Sequence, residues 1–191
     1  MGWPYRAFVR PIQRLQTSEG AHGRALRMLR IASATGPGRS VLRLLYRPKK
    51  AEPVEVWGLT FPNRFGLAAG MDKGAEALLG WSSIGFGFIE IGGVTMHAQE
   101  GNPKPRMFRD DRSRALINRM GFNNDGSKAV AERIRTHLNK KGPLPCPVLA
   151  NLGKSKITTN EDALEDYATS MERLHDVVDG FVVNVSSPNT P

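Results

Sequence analysis

Cysteine is nearly absent from this chain of 191 residues, which contains only Cys146. A single cysteine excludes an internal disulfide framework, and this fits a reducing compartment. No apolar run approaches the roughly 20 residues that a membrane-spanning helix needs, and the first residues lack the apolar core of a secretory signal. His97, His137 and His175 show no metal-ligand spacing. The sequence therefore predicts no metal site.

Acidic residues are almost missing from residues 1–50. This segment holds eleven Lys and Arg residues and one acid, Glu19, so its net charge is +10 and that of residues 51–191 is −1. Such an uneven distribution separates a basic segment from a nearly neutral remainder. We therefore predict two parts, a basic extension over residues 1–50 and a domain over residues 53–191.

Helical periodicity runs through the basic extension. Residues 22–36 place apolar side chains on one face and arginines on the other. After a Gly-Pro-Gly break at 36–38, Ser40 is predicted to cap a second basic helix. The two helices could form a hairpin packed on the domain, or lie in a membrane interface attracted by anionic lipid. Interleaved aromatic residues, which would favour nucleic acid as a partner, are lacking.

From residue 53 onward, strand and helix patterns alternate. A long loop is predicted from Val94 to Asn124, and the helices fall between the strands. Near-continuous apolar strands alternating with helices indicate a parallel sheet covered by helices. The predicted strands span residues 64–70, 86–93, 147–153 and 180–187.

Each predicted strand ends in small or polar residues, in the sequences AAGMDK, GGVT, NLGK and NVSSPN. Ligands bind at the carboxyl ends of all strands in a (β/α)₈ barrel, but at one switch point in a doubly wound sheet. Because all four strands contribute, the sequence favours an α/β (β/α)₈ TIM barrel. Residues 53–191 supply about four of its strands, so we expect the chain to stop at the loop after the fourth strand.

Five motifs in order resemble one enzyme family, the dihydroorotate dehydrogenases, and within it the membrane-associated class that uses a quinone. The helix pair, with EGAH at residues 19–22, is similar to the quinone-tunnel extension of that class. The motifs are GLAAGMDK (66–73), EGNPKPRMFR (100–109), NRMGFNN (118–124), NLGKSK (151–156) and NVSSPNTP (184–191).

The resemblance implies oxidation of (S)-dihydroorotate to orotate in pyrimidine biosynthesis, on bound FMN and with a quinone as electron acceptor. A base removes a proton from C5 while a hydride leaves C6 for the flavin. Ser187 matches the position of that base, with Thr190 and a water in its proton route. Without the resemblance, a serine before a proline is typical of a turn.

The resemblance also implies roles for other residues. The quinone side includes His22 and Arg109. The residues matched to cofactor contacts are Ala68, Ala69, Gly70, Lys73, Gly93, Asn151 and Asn184. The residues matched to substrate contacts are Lys73, Asn118, Arg119, Met120, Gly121, Phe122, Asn184 and Asn189.

Gly93 departs from the family pattern, which usually has Ser or Thr at this position. The lost hydroxyl would remove about 1 kcal/mol of hydrogen bonding to the flavin. The family's flavin-phosphate site would lie beyond residue 191, so we expect residues 1–191 alone to be inactive.

Localisation and function follow from the same resemblance. It implies a peripheral protein on the cytoplasmic face of the inner or cell membrane, bound through residues 1–50 to anionic lipid. Two other functions remain open at this stage: another FMN-dependent TIM-barrel oxidoreductase acting on a pyrimidine, and a non-catalytic half-barrel.

Overall fold

A computed structural model describes residues 3, 5–9, 11–12 and 15–185 of the chain. Ser187, Asn189 and Thr190, which the sequence analysis assigned to catalysis and substrate binding, lie outside the described residues.

The basic extension is helical. A π-helical segment spans Tyr5–Val9, helix α1 spans Ser18–Ser33 and helix α2 spans Gly36–Tyr46. Among the described residues, no helix is both long enough and apolar enough to cross a bilayer.

The predicted cap of the second helix is wrong. Ser40 lies inside α2, and the cap is Thr35, whose hydroxyl accepts the N–H of Gly38 at 3.2 Å. Gly-Pro-Gly therefore occupies the first helical turn instead of breaking the helix. Proline is tolerated there because the first N–H groups of a helix have no intrahelical partner.

The domain alternates strands with helices. The described elements of the domain, in chain order, are β1 (Val54–Val56), β2 (Leu59–Phe61), β3 (Gly66–Leu67), α3 (Leu78–Ile84), β4 (Phe88–Val94), β5 (Met107–Asp110), β6 (Ala115–Asn118), α4 (Ser127–Lys141), β7 (Val148–Leu152), α5 (Ala163–Leu174) and β8 (Gly180–Val183).

The central sheet confirms the predicted fold class. Its four strands are all parallel and lie in the order β3-β4-β7-β8. Neighbours in the sheet thus follow one another along the chain, whereas a doubly wound sheet reverses its order at a switch point. The described part of the chain therefore has the strand order of a partial TIM-barrel-like fold.

The two faces of the sheet differ in chemistry because successive side chains of a strand point to opposite faces. On the face covered by the helices, Ile89, Ile91 and Leu152 are fully buried against Ile134 of α4 and Leu174 of α5. The alternate positions point to the opposite face and are Phe88, Glu90 and Gly92 in β4 and Leu149 and Asn151 in β7. The apolar core thus lies between the sheet and its helices, and the polar residues of the opposite face are available for a site.

Two antiparallel hairpins were not predicted from the sequence. β1 and β2 precede the first parallel strand, and the ring of Phe61 meets that of Phe88 edge to face at 5.8 Å. β5 and β6 pair within the predicted loop Val94–Asn124, so that prediction is wrong. Each of these strands has only three or four residues. β1 and β2 alternate apolar and polar residues, but each is shorter than the roughly four to eight residues over which alternation indicates a strand, and β5 and β6 do not alternate at all.

Two parallel strands are shorter than predicted. β3 ends at Leu67 because the chain turns at Gly70, which has φ +94° and whose N–H donates to the Gly92 carbonyl. β8 ends at Val183, so Asn184 and Val185 lie beyond the strand. Residues 68–70 and 184–185, which were assigned to the ends of these two strands, therefore lie outside them.

Leu152 and Leu164 offer a matched test of the core. Leu152 has no exposed surface, while 82% of Leu164 is exposed. We expect Leu152→Ala to lower the free energy of unfolding by about 2–5 kcal/mol, because it leaves a cavity in close-packed surroundings. Urea unfolding measures the loss. A smaller effect than that of Leu164→Ala would contradict the packing described.

Candidate functional site

A cavity of about 900 Å³ lies at the carboxyl ends of the parallel strands. The first turns of α1 form one wall, Gly93 of β4 and Asn151 of β7 form the floor with the segments after β3 and β8, and the segment after β6 forms a third side. The predicted site residues that line it are His22, Ala69, Gly70, Lys73, Gly93, Asn118, Met120, Gly121, Phe122, Asn151 and Asn184.

Three predicted residues do not line this cavity. Ala68 is exposed beside Ala69, and Arg109 is exposed on β5. Arg119 donates to the Pro105 carbonyl at 3.2 Å, and its guanidinium lies 6.0 Å from the centre of the Phe108 ring. The roles assigned to Ala68, Arg109 and Arg119 stay predictions.

A buried aspartate shapes the turn that presents Lys73. Asp72 has no exposed surface, and its carboxylate accepts the N–H groups of Glu76 and Ala77 at 2.7 and 2.8 Å. It also accepts the indole N–H of Trp81 at 3.2 Å. Three donors on one buried carboxylate hold the loop after β3 in a single conformation. The neighbouring Lys73 is therefore presented by a well-supported turn.

Lys73 is a largely buried cation of the cavity. Its ammonium donates to the Asn123 amide oxygen at 2.6 Å. Burial, together with the charge of the nearby Arg106, lowers the pKa of Lys73 to about 8, although Glu19 acts in the opposite direction. At neutral pH Lys73 therefore remains a cation able to bind an anionic group, and it loses its charge at moderately alkaline pH.

His22 faces the same cavity from α1. Burial is the main cause that lowers the pKa of His22, and the charge of Lys73 adds to it. Asp72, Glu76 and Glu19 act in the opposite direction without cancelling the shift. A neutral imidazole, with one donor and one acceptor nitrogen, is thus favoured at this wall.

Two predicted asparagines meet across neighbouring strands. The Asn184 amide donates to the Asn151 amide oxygen at 3.3 Å, and Asn151 donates to Glu90 at 2.7 Å. Glu90 was missed by the sequence analysis. Its signal was a single carboxylate inside the apolar strand sequence FGFIEIGG. The network orients both amides at the floor of the cavity.

The ring of Phe122 packs against the backbone of Gly93. A Cβ on Gly93 would lie 2.4 Å from Cε1 of Phe122, and one on Gly153 would lie 3.2 Å from its Cζ. The phenyl ring therefore rests directly on backbone that carries no side chains. Any larger residue at position 93 would displace the ring.

The segment around Phe122 is held by hydrogen bonds to residues 99–102. Asn102 donates its N–H to the Met120 carbonyl at 3.0 Å and its amide to the Arg119 carbonyl at 2.8 Å. The Gln99 amide donates to the Gly121 carbonyl at 3.3 Å. The third side of the cavity is thus anchored to the loop after β4.

Glu19 and Arg106 join the extension to the domain, and the sequence analysis assigned neither. The Arg106 guanidinium donates to the Glu19 carboxylate, with the shortest distance 2.6 Å from Nη2. Arg106 also donates to the carbonyls of Glu100 and Asn102. Motif spacing cannot reveal a pair whose members are 87 residues apart.

Cys146 is a core residue. It is buried at the entrance to β7, where burial raises the pKa of its thiol to about 11. It lines a second cavity, of about 430 Å³, at the amino ends of the strands. A thiol with this pKa is a poor nucleophile at neutral pH.

Fold and cavity together define the class: a barrel-like α/β protein with a polar ligand cavity at the carboxyl ends of its strands. Within that class, the sequence model of the dihydroorotate dehydrogenase family matches residues 52–191. The chain belongs to the dihydroorotate dehydrogenase family.

Individual relatives support the same family membership. The chain is 51% identical over 168 residues to a dihydroorotate dehydrogenase (quinone) of Synechococcus sp. (strain JA-2-3B'a(2-13)), covering 88% of this chain and 43% of the relative. With the dihydroorotate dehydrogenase (quinone) of Gloeobacter violaceus it shares 48% over 183 residues, covering 96% and 50%. The chain spans about half the length of the curated relatives it matches.

Solved structures show the same partial coverage. A crystal structure of the Eimeria tenella dihydroorotate dehydrogenase in complex with ferulenol superposes with a TM-score of 0.76 at 36% identity. It covers 91% of this chain and 45% of the solved one. A ligand-free structure of the same enzyme gives a TM-score of 0.71 at 38% identity, covering 87% and 46%.

Competitive labelling with acetic anhydride, read by peptide mass spectrometry, tests the environment of Lys73. Only a neutral amine reacts, so we expect its labelling to reach half-maximum near pH 8. Free lysine side chains titrate near about 10.4. The exposed Lys49 provides the internal reference in the same digest. Coinciding profiles for the two lysines would show that burial does not shift the pKa of Lys73.

Proposed function

We propose that the protein containing this chain is a quinone-dependent dihydroorotate dehydrogenase, which oxidises (S)-dihydroorotate to orotate by means of FMN. The observation that carries the proposal is the strand-end cavity, where Lys73 lies among Asn118, Asn151 and Asn184. A cation and several amides form a donor and acceptor set suited to a pyrimidine carboxylate and to the polar edge of a flavin.

The residues of the cavity fit a flat, partly polar cofactor. A Cβ on Gly70 would meet no atom within 4 Å, so open space lies over the backbone after β3. Asn151 and Asn184 present oriented amides at the opposite side of the floor. We assign flavin contacts to these residues and to Ala69, Lys73 and Gly93. When bound, FMN supplies the hydride acceptor.

On the substrate side, the charge of Lys73 suits the carboxylate of dihydroorotate. Asn118 and Asn184 can donate to and accept from the ring amide and carbonyl groups. Phe122 offers an apolar surface beside them and excludes water from the reacting carbons. We assign Asn189 the same kind of amide contact as Asn118.

Proton removal falls to Ser187 in this proposal. A serine hydroxyl is a weak base by itself, so the proton it takes from C5 needs a hydrogen-bonded route onward. Thr190 is the residue assigned to that route. The electrons of the broken C5–H bond form the new C5–C6 double bond. The electrons of the C6–H bond leave with the hydride, so both bonds that break are accounted for.

In this proposal, the basic extension forms the side of the cavity that binds the quinone, which is the electron acceptor. His22 lies on the α1 wall of the cavity, and we assign it and Arg109 to the quinone headgroup. None of the residues of α2 is buried, and its Val41, Leu44 and Leu45 are exposed together with basic side chains. Exposed apolar and basic residues on one short helix suit an anionic membrane interface.

The function is tested by mixing the full-length protein with dihydroorotate without oxygen and following the loss of flavin absorbance. We expect Ser187→Ala to slow this reduction by about 10²–10⁴-fold, the range of general base catalysis. FMN should stay bound, because the substitution removes only a hydroxyl. Ser187→Cys should retain part of the activity, since a thiolate can accept the proton.

Ser186→Ala is the matched control, because it removes a hydroxyl from the residue next to Ser187 in the sequence. It should reduce flavin at close to the parent rate. Equal rates for the parent and Ser187→Ala would remove Ser187 from the mechanism. A parent protein that is reduced by dihydrouracil as readily as by dihydroorotate would favour a different flavin-dependent pyrimidine enzyme.

Membrane contact is tested by sedimentation with vesicles that contain phosphatidylglycerol. We expect the double variant Leu44→Ser, Leu45→Ser to bind at least about tenfold more weakly, because each buried leucine contributes about 1.5–3 kcal/mol. Binding of the parent should weaken as salt screens its basic residues. Leu164→Ser, at an equally exposed leucine of α5, serves as the control. Unchanged sedimentation of the double variant would contradict the assignment.

A further inference from the structure

The side chain of Arg106 forms hydrogen bonds both to the basic extension and to the loop after β4. Only 7% of its side chain is exposed, and its guanidinium faces Glu19 at the start of α1. Nε reaches both carboxylate oxygens at 3.2 Å and Nη2 reaches one at 2.6 Å. Nη1 donates to the backbone carbonyls of Glu100 and Asn102. One side chain thus uses all its nitrogens to join the extension to the loop after β4.

The same loop carries the segment that forms the third side of the cavity. Asn102 holds the backbone of Arg119 and Met120, and the Arg119 N–H donates to the Arg106 carbonyl at 2.9 Å. The contacts of Arg106 therefore connect the α1 wall, which bears His22, with the wall formed by residues 118–122. Lys104 adds a longer contact to the same carboxylate of Glu19, at 3.7 Å, from a side chain that is 70% exposed.

A second ion pair attaches α1 to the domain elsewhere and provides a comparison. Arg30 lies 3.6 Å from Glu76, and both side chains are substantially exposed, at 56% and 43%. Exposed ion pairs contribute little, whereas breaking a buried pair leaves an uncompensated charge. Of these two ion pairs, Glu19–Arg106 should therefore contribute more to the attachment of α1, beside the packing of Leu29 over Gly80 of α3.

We propose that Glu19 and Arg106 are positioning residues that hold the α1 wall, with His22, in register with the substrate side of the cavity, and so determine how the electron acceptor binds. This inference rests on the proposed function, because it divides the cavity between a pyrimidine side and an acceptor side. Neither residue needs to touch a reacting atom. Their effect passes through the placement of α1.

The first test uses hydrogen exchange of the peptides that cover residues 18–33 in the full-length protein. Glu19→Gln keeps the shape of the side chain and removes its charge, so we expect exchange of α1 to become about tenfold faster or more. Arg106→Lys keeps the charge but loses the forked donor geometry, and should have the same effect. Arg30→Gln is the control for an exposed attachment and should change exchange much less. Unchanged exchange in Glu19→Gln, or an equal change in Arg30→Gln, overturns the proposal.

The second test separates the two half-reactions. It is measured well below pH 8, because loss of the Glu19 charge lowers the pKa of Lys73 further and the lysine must stay protonated in parent and variant alike. In Glu19→Gln we expect the KM for a short-chain soluble quinone to rise at least about fivefold, as expected from breaking a buried charged contact. Flavin reduction by dihydroorotate should stay within about twofold of the parent. Asp176→Asn, which breaks the exposed Arg135–Asp176 pair far from the cavity, is the control and should change neither.

The outcomes distinguish positioning from general damage. A selective loss of quinone affinity with faster exchange of α1 supports the proposal, whereas an equal fall in both half-reactions or an unchanged quinone KM overturns it. If dihydroorotate does not reduce the parent protein, the proposed function fails. In that case the exchange measurements still decide whether the pair anchors α1.

Discussion

Parallel pairing of four strands in chain order is the constraint on which the rest of the structure depends. Because all four run in one direction, their carboxyl ends meet at one edge, and residues at or just after the strand ends form the floor of one cavity. Because side chains alternate between the two faces of the sheet, one face can form the core while the other contributes to the ligand site. Branched apolar residues on one face pack against the helices, so the opposite face and the strand ends need not contribute to the core.

The charge beside Lys73 is balanced incompletely, although Glu19, Glu76, Glu100 and Asp125 also line the cavity. Lys73 and Arg106 are close enough for Arg106 to lower the pKa of Lys73, and Glu19 offsets only part of that effect. An anionic ligand would relieve the unfavourable proximity of the two cations, which is a physical reason for such a ligand to bind there. Burial of Lys73 and His22 strengthens these interactions because little water screens them.

Prediction from the sequence succeeded where a signal was local and failed where it was not. The parallel strands were recognisable because each is a continuous apolar run followed by small or polar residues. The hairpin of β5 and β6 was not, because two four-residue exposed strands stabilise each other without producing a pattern in either one. The cap of α2 was misplaced for a related reason: Ser40 and Thr35 are similar caps by type, and only the path of the chain decides between them. Glu90 could have been noticed as a charge inside an apolar strand, but its pairing with Asn151 could not be predicted from the sequence.

The sequence by itself determined the class of fold and the set of residues at the strand ends, because both follow from apolar periodicity and from what comes directly after each strand. It also determined membership of the dihydroorotate dehydrogenase family through five ordered motifs. Only the tertiary structure decided the pairings across the cavity. Lys73 meets Asn123, 50 residues away, and Glu19 meets Arg106, 87 residues away. Such contacts depend on how the extension and the loop after β4 cross in space, and no periodicity or spacing in the chain carries that information.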